Sequence, residues 1–225
     1  MFRGPSSAAI VALVACGGAG QPAGSARPPV CPLDRIVQIS SQEDIAQVAG
    51  CTALRGLLIR TGAPLDLAPL HTLETVSGDL QVGPTVALEE LGFNRLREVG
   101  GSIQIESNQL LRGVFLPRLE SAGRISIAAN SSLYTIAAPR LATVHGAFVI
   151  AELGLLEILD LSALVTVGKD LVIADNPRLG LVELAALSSV LDIRIEGNRA
   201  LSAEQVEAVK ARARPPKPDE RRRHN

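Results

Sequence analysis

The sequence predicts a mainly β chain wound as a parallel β-solenoid of about seven coils, with a short capping helix at each end. Three observations carry this. An apolar-x-apolar triplet recurs every 22 or 23 residues. A ridge of apolar residues spaced by three, closed by glycine, precedes the triplet. An asparagine follows it in four of the coils. Such a period marks stacked repeats, in which each coil buries its apolar side only against its neighbours.

The triplets are Leu57-Leu58-Ile59, Leu80-Gln81-Val82, Ile103-Gln104-Ile105, Ile125-Ser126-Ile127, Phe148-Val149-Ile150, Leu171-Val172-Ile173 and Ile193-Arg194-Ile195. Their first members step by 23, 23, 22, 23, 23 and 22 residues. Alternation over three residues is the mark of a strand with one face buried.

Ahead of each strand stands the ridge: Leu70, Leu73, Val76, Gly78, then Phe93, Leu96, Val99, Gly101, and its equivalents through Leu184, Leu187 and Val190. The spacing of three suits a tight, nearly 3₁₀ or polyproline-like path. Pro117 and Pro139 argue against regular α-helix. The glycine is expected to let the backbone turn into the strand.

After the strands come Asn108, Asn130, Asn176 and Asn198. An amide at a buried corner can bond the backbone of neighbouring coils, so these four are expected to form a structural ladder. Asn130-Ser131-Ser132 is formally a glycosylation sequon, but Asn130 is assigned to the ladder. Leu111, Leu133, Leu179 and Leu201 then return the chain inward.

Both ends need lids. Ser40 and Glu43 have capping-box spacing before Ile45 and Val48, with Gly50 as the stop. Cys31 and Cys51 flank this segment, and an even pair in an exported chain favours a disulfide. Residues 31–55 are therefore read as a stapled N-terminal cap. Ser202 and Gln205 form a second capping box, opening a helix over 202–213. Residues 215–225 are Pro-rich and basic, and read as a disordered tail. From Lys210 onward there are seven basic and two acidic residues, a local +5; the remaining 15 basic and 21 acidic residues give −6.

The front end reads as an export signal. Arg3 precedes the apolar run Ala8 to Ala15, which is too short to span a bilayer but suits a signal core. It ends in Leu13-Val14-Ala15-Cys16, which resembles the lipobox of bacterial lipoproteins. The resemblance implies that residues 1–15 are a signal peptide and that Cys16 is lipidated. Gly17 in the next position implies the outer membrane rather than the inner one. Residues 16–30 are a Gly/Pro-rich tether, with four glycines and three prolines after Cys16.

The cysteines, the run Cys51-x-x-Leu54-x-Gly56-Leu57-Leu58-Ile59 and the repeated L-x-x-V-x-G-x-L-x-I with Asn together resemble the receptor L domain. This is the leucine-rich-repeat-like solenoid of growth-factor receptor ectodomains. The resemblance covers residues 31–211. It implies a right-handed parallel solenoid that binds other proteins or ligands non-covalently and does no catalysis. Receptor signalling is not carried over.

Composition narrows the function further. Aromatic residues are 2% of 225, and net charge is −1. Base or sugar stacking is therefore disfavoured, and whole-chain charge gives no case for nucleic acid. His71, His145 and His224 share no column, and no H-x-x-x-H, C-x-x-C or phosphate-loop motif occurs. Gly100-Gly101-Ser102 is a repeat turn rather than a nucleophile elbow. Asp170 and Asp175 fall where the repeat exposes polar residues. No catalytic residue, metal or cofactor is expected.

The middle residue of each triplet should point outward. That column is Leu58, Gln81, Gln104, Ser126, Val149, Val172 and Arg194. Flanking columns are polar at both ends of the solenoid and small or aliphatic in the middle. Ser126, Ala128, Ala147, Val149, Ala151, Val172 and Ala174 thus form a candidate surface for a protein partner or self-association. The reading is an exported, lipid-anchored, non-catalytic binding solenoid of the cell envelope, at the outer membrane or cell surface. An envelope scaffold without specific ligand is second, and a hydrolytic enzyme third.

Overall fold

The structure, a computed structural model, describes residues 31–212. The segments read above as signal peptide and tether, Cys16 and the tail over 215–225 lie outside these residues. The chain coils through about seven turns, with one parallel sheet along the length of the described solenoid and a second, five-stranded one along its middle and later coils.

The larger sheet carries the triplets. Leu57, Leu80, Ile103, Ile125, Phe148, Leu171 and Ile193 stand in one register column. The third members, from Ile59 to Ile195, form another. First and third members are buried in the coils from Leu57 to Ile173, because a strand turns alternate side chains to one face. One further rung precedes them: Ile36–Ile39 pairs with Gly56–Thr61, setting Val37-Gln38-Ile39 against Leu57-Leu58-Ile59. This rung lies only 20 residues before the next, so the 23-residue period does not reveal it.

The ridge is half turn and half strand. Its first step is a single 3₁₀-type turn, with Leu73 N donating to Leu70 O at 3.0 Å and Leu164 N to Leu161 O at 2.9 Å. Its second step departs from the expected ridge. Ala53-Leu54, Thr75-Val76, Glu98-Val99, Ser121-Ala122, Thr143-Val144, Thr166-Val167 and Ser189-Val190 pair as short parallel strand segments. Each leads into its triplet, in two coils through a register shift. Ile103 stands four positions after Val99 and Leu171 four after Val167, but Ile125 stands only three after Ala122 and Ile193 three after Val190. The two 22-residue steps are absorbed at these shifts.

The glycine at this point serves close approach rather than turning. None of Gly78, Gly100, Gly101, Gly123 and Gly146 has positive φ. A Cβ on Gly78 would lie 2.6 Å from Arg55 O, and one on Gly123 would lie 2.5 Å from Gly101 O. Adjacent coils touch backbone to backbone here, with Gly78 N donating to Arg55 O at 2.7 Å and Gly146 N to Gly123 O at 2.6 Å.

The smaller sheet is not evident from the repeat pattern. It comprises Glu90–Gly92, Gly113–Phe115, Thr135–Ala137, Ile158–Asp160 and Leu181–Glu183, all parallel. Each strand has three residues, and the central Leu91, Val114, Ile136 and Leu159 are buried. Leu88, Leu111, Leu133, Leu156 and Leu179 fill the corner before it.

The N-terminal helix spans Gln42–Val48 and buries Ile45 and Val48. Its N-cap is Ser41 with Asp44, one residue later than the Ser40–Glu43 pairing expected. Both serines have an acid three residues on. Asp44 wins because its Oδ2 accepts from Ser40 N at 2.9 Å, Ser41 N at 3.0 Å and both hydroxyls. These bonds hold the Asp44 carboxyl below its ordinary value. Gly50 follows at φ 82°. Cys31 and Cys51 are joined, with Cα atoms 5.6 Å apart. At the other end the helix Ala203–Arg212 is opened by Ser202 and Gln205, which bond reciprocally at 3.2 and 2.9 Å. It buries Val209 and leaves Ile193 and Ile195 of the last rung only partly covered.

Candidate binding face

The face is built on a corner that the asparagines make rigid. Asn108, Asn130 and Asn176 are fully buried. Asn108 Nδ2 donates to Val82 O at 3.2 Å, Asn130 Nδ2 to Ile105 O at 2.8 Å, Asn176 Nδ2 to Ile150 O at 3.1 Å and Asn198 Nδ2 to Ile173 O at 2.7 Å. Each acceptor is the last member of the preceding triplet. Running the other way, Asn108 N donates to Asn130 Oδ1 at 3.0 Å and Asn176 N to Asn198 Oδ1 at 3.1 Å. Thr85 extends the ladder, its hydroxyl donating to Asn108 Oδ1 at 2.8 Å. Leu153 interrupts it, contributing only its N–H to Asn176 Oδ1 at 3.1 Å. Just before these corners Ser107, Ala129, Glu152 and Asp175 hold φ of 53–60°. That conformation disfavours side chains other than glycine and some Asn or Asp. These four coils are thus turned at the same point.

The corner ends each strand, so the outward columns stay in register. Gln104, Ser126, Val149, Val172 and Arg194 stand directly opposite one another on successive rungs. Beside them run Glu106, Ala128, Ala151, Ala174 and Glu196. Val149 and Val172 are half-buried, as are Ala128, Ala147 and Ala151.

Two of the seven expected surface residues differ. Ala174 is only 7% exposed. Its methyl barely rises above the pleat between Ala151 and Glu196, so it adds little to any contact. Ser126 donates its hydroxyl to Glu106 at 3.0 Å and belongs to the polar border. What remains is centred on Val149 and Val172. With rungs ~4.8 Å apart and ~3.3 Å per residue, it covers roughly 200 Å². That is well short of the ~800 Å² per partner of a standard interface. A stable contact on this face must therefore also take in charged residues toward both ends, such as Arg60 and Glu106 on one side and Asp170, Asp192 and Arg194 on the other.

Sequence reasoning missed a second outward patch, on the smaller sheet. Ile158 and Leu181 pair in register and are 40% and 43% exposed, and exposed Tyr134 precedes Thr135, the partner of Ile158 on the rung before. The signal was present in the alternation around Leu159 and Val182, but strands of three residues carry little periodicity. Among the described residues, no group of three His, Cys, Asp or Glu gathers at metal-binding distance. None of their helices is long and apolar enough to cross a membrane.

Comparison with protein-family models, with curated proteins and with solved structures finds no match to this chain.

Proposed function

We propose that this chain is an exported, lipid-anchored envelope protein whose solenoid binds a protein partner through the outward face of the larger sheet. The observation that supports the reading is the register of that face. Its apolar centre at Ala128, Val149, Ala151 and Val172 is bordered on both sides by charge, and these side chains do no packing work inside the coil. A rigid face loses little conformational freedom on binding, which favours recognition over a flat, low-area contact. The reading of residues 31–211 as L-domain-like belongs to the same proposal, as does the lipid on Cys16. So does the absence of catalysis.

The test is capture of envelope proteins by the purified body, wild type beside Val149→Glu/Val172→Glu. The valines are half-exposed but directly opposite, so the two glutamates repel and should lower the melting temperature, while the variant stays folded and loses its captured partner or its self-association. Unchanged capture by a folded double variant rejects the site. Failure of wild type to capture any partner or to self-associate favours the scaffold reading.

A further inference from the structure

The turn that opens each ridge places one outward side chain just before the inward Leu96, Leu119 and Leu141. On three successive coils this residue is arginine: Arg95, Arg118 and Arg140. All three are exposed. The coils are locked in step beside them, with Glu120 N donating to Arg97 O at 2.8 Å and Ala142 N to Glu120 O at 2.9 Å. The three stems therefore stand one rung apart, ~4.8 Å. Like charges set directly across neighbouring strands are destabilising.

The adjacent column shows that this stacking is avoidable. Two residues along, Glu74, Arg97 and Glu120 alternate in sign, and Arg97 pairs with Glu120 at 3.3 Å. Arg95, Arg118 and Arg140 make no ion pair and no side-chain hydrogen bond among the described residues. The column is Thr72 in the coil before and Ala163 and Ala186 in the coils after, so the charge is confined to one strip.

We propose that Arg95, Arg118 and Arg140 form a ladder that binds a linear polyanion, an acidic polysaccharide with one carboxylate per sugar residue. A guanidinium presents a fork that matches a carboxylate in a bidentate pair. An extended chain with a carboxylate on every ring, laid along the strip, brings several of them within reach of these long side chains. Nucleic acid fits less well. The flanking Asn94, Pro117 and Pro139 offer no aromatic face on which bases could stack. The ladder lies in the turns, apart from the outward strand face, and does not rest on the function proposed for that face.

The test measures binding of the full chain to polygalacturonate, with uncharged dextran and oligo(dT) alongside. Arg95→Ala/Arg118→Ala/Arg140→Ala is compared with Arg178→Ala/Arg199→Ala/Arg212→Ala, which removes the same charge elsewhere. Both keep the basic tail. The ladder variant should lose roughly tenfold or more in affinity and the control less than about twofold. Three contacts also make wild-type affinity fall by up to about twentyfold between 50 and 200 mM salt. The ladder variant should melt at or above wild type, since repulsion is removed. If it melts lower, Arg118→Gln alone replaces it and should weaken binding about threefold. Equal loss in both triple variants, tighter binding of oligo(dT) than of polygalacturonate, or no binding of polygalacturonate overturns the proposal.

Discussion

Asn130→Ala removes four bonds at a fully buried corner. Its Nδ2 donates to Ile105 O at 2.8 Å and Ala128 O at 3.0 Å, and its Oδ1 accepts from Asn108 N at 3.0 Å and Asn108 Nδ2 at 2.9 Å. Asn108 Nδ2 keeps its bond to Val82 O, so the groups left bare are chiefly the Ile105 carbonyl and the Asn108 N–H. A stranded buried polar group costs ~1–3 kcal/mol. Two of them make the expected loss about 3 kcal/mol. With a urea slope of ~2 kcal/mol per M, the midpoint should fall by about 1.5 M at unchanged slope. Leu153 supplies an internal control, because it occupies the ladder position without an amide. Leu153→Asn and Leu156→Asn each place an amide where a fully buried leucine stood. Only Asn at 153 meets the ladder, with the Ile127 carbonyl and the Asn130 N–H one coil away. It should therefore cost at least about 1 kcal/mol less than Asn at 156. A change under about 0.5 kcal/mol for Asn130→Ala, or equal costs for the two leucine variants, refutes the ladder as a source of stability.

Four further outcomes follow from the geometry. Gly123→Ala should cost roughly 2 kcal/mol or more in urea unfolding, because its Cβ would meet the carbonyls of Gly101 and Gly100 at 2.5 and 2.6 Å. Gly154→Ala, with nothing within 4 Å, should be neutral or slightly stabilising. Reducing Cys31–Cys51, which closes a loop over a separation of 20 residues, should lower stability by about 3 kcal/mol and loosen the N-terminal helix first, as read by amide exchange. The Asp44 carboxyl is held below its ordinary value by bonds from Ser40 and Ser41. Its stabilisation of the helix start is therefore present above about pH 4 and lost as pH falls through the lowered value. Amide protection at Ser41 and Asp44 should decline there in wild type and show no such step in Asp44→Asn.

The larger sheet was legible because its triplets alternate strictly and recur at a constant step, so register followed from counting. The first rung was hidden by its shorter step, since Val37-Gln38-Ile39 comes 20 residues before the next triplet while the others are 22 or 23 apart. The smaller sheet was hidden because each strand turns in a single apolar side chain, too little for a period of two to register. The left-handed corners at Ser107, Ala129, Glu152 and Asp175 carry no glycine to announce them. Residue type pointed to the ridge glycines, but their purpose appears only in the distance between coils. The same limit applies to the candidate face. Alternation placed Val149 and Val172 outward, whereas the covering of Ala174 and the use of Ser126 by Glu106 depend on neighbours one rung away. Columns become visible by aligning the repeats, yet the lack of any ion pair at Arg95, Arg118 and Arg140 is a matter of geometry.

Export and anchoring underlie the functional proposal, and one labelling experiment addresses them directly. Cells expressing the full chain are fed labelled palmitate, and the protein is recovered from membrane and soluble fractions, wild type beside Cys16→Ala. The account predicts label on wild type in the membrane fraction and none on Cys16→Ala, which leaves that fraction. Wild type without label, or Cys16→Ala that is labelled and membrane-bound like wild type, contradicts it.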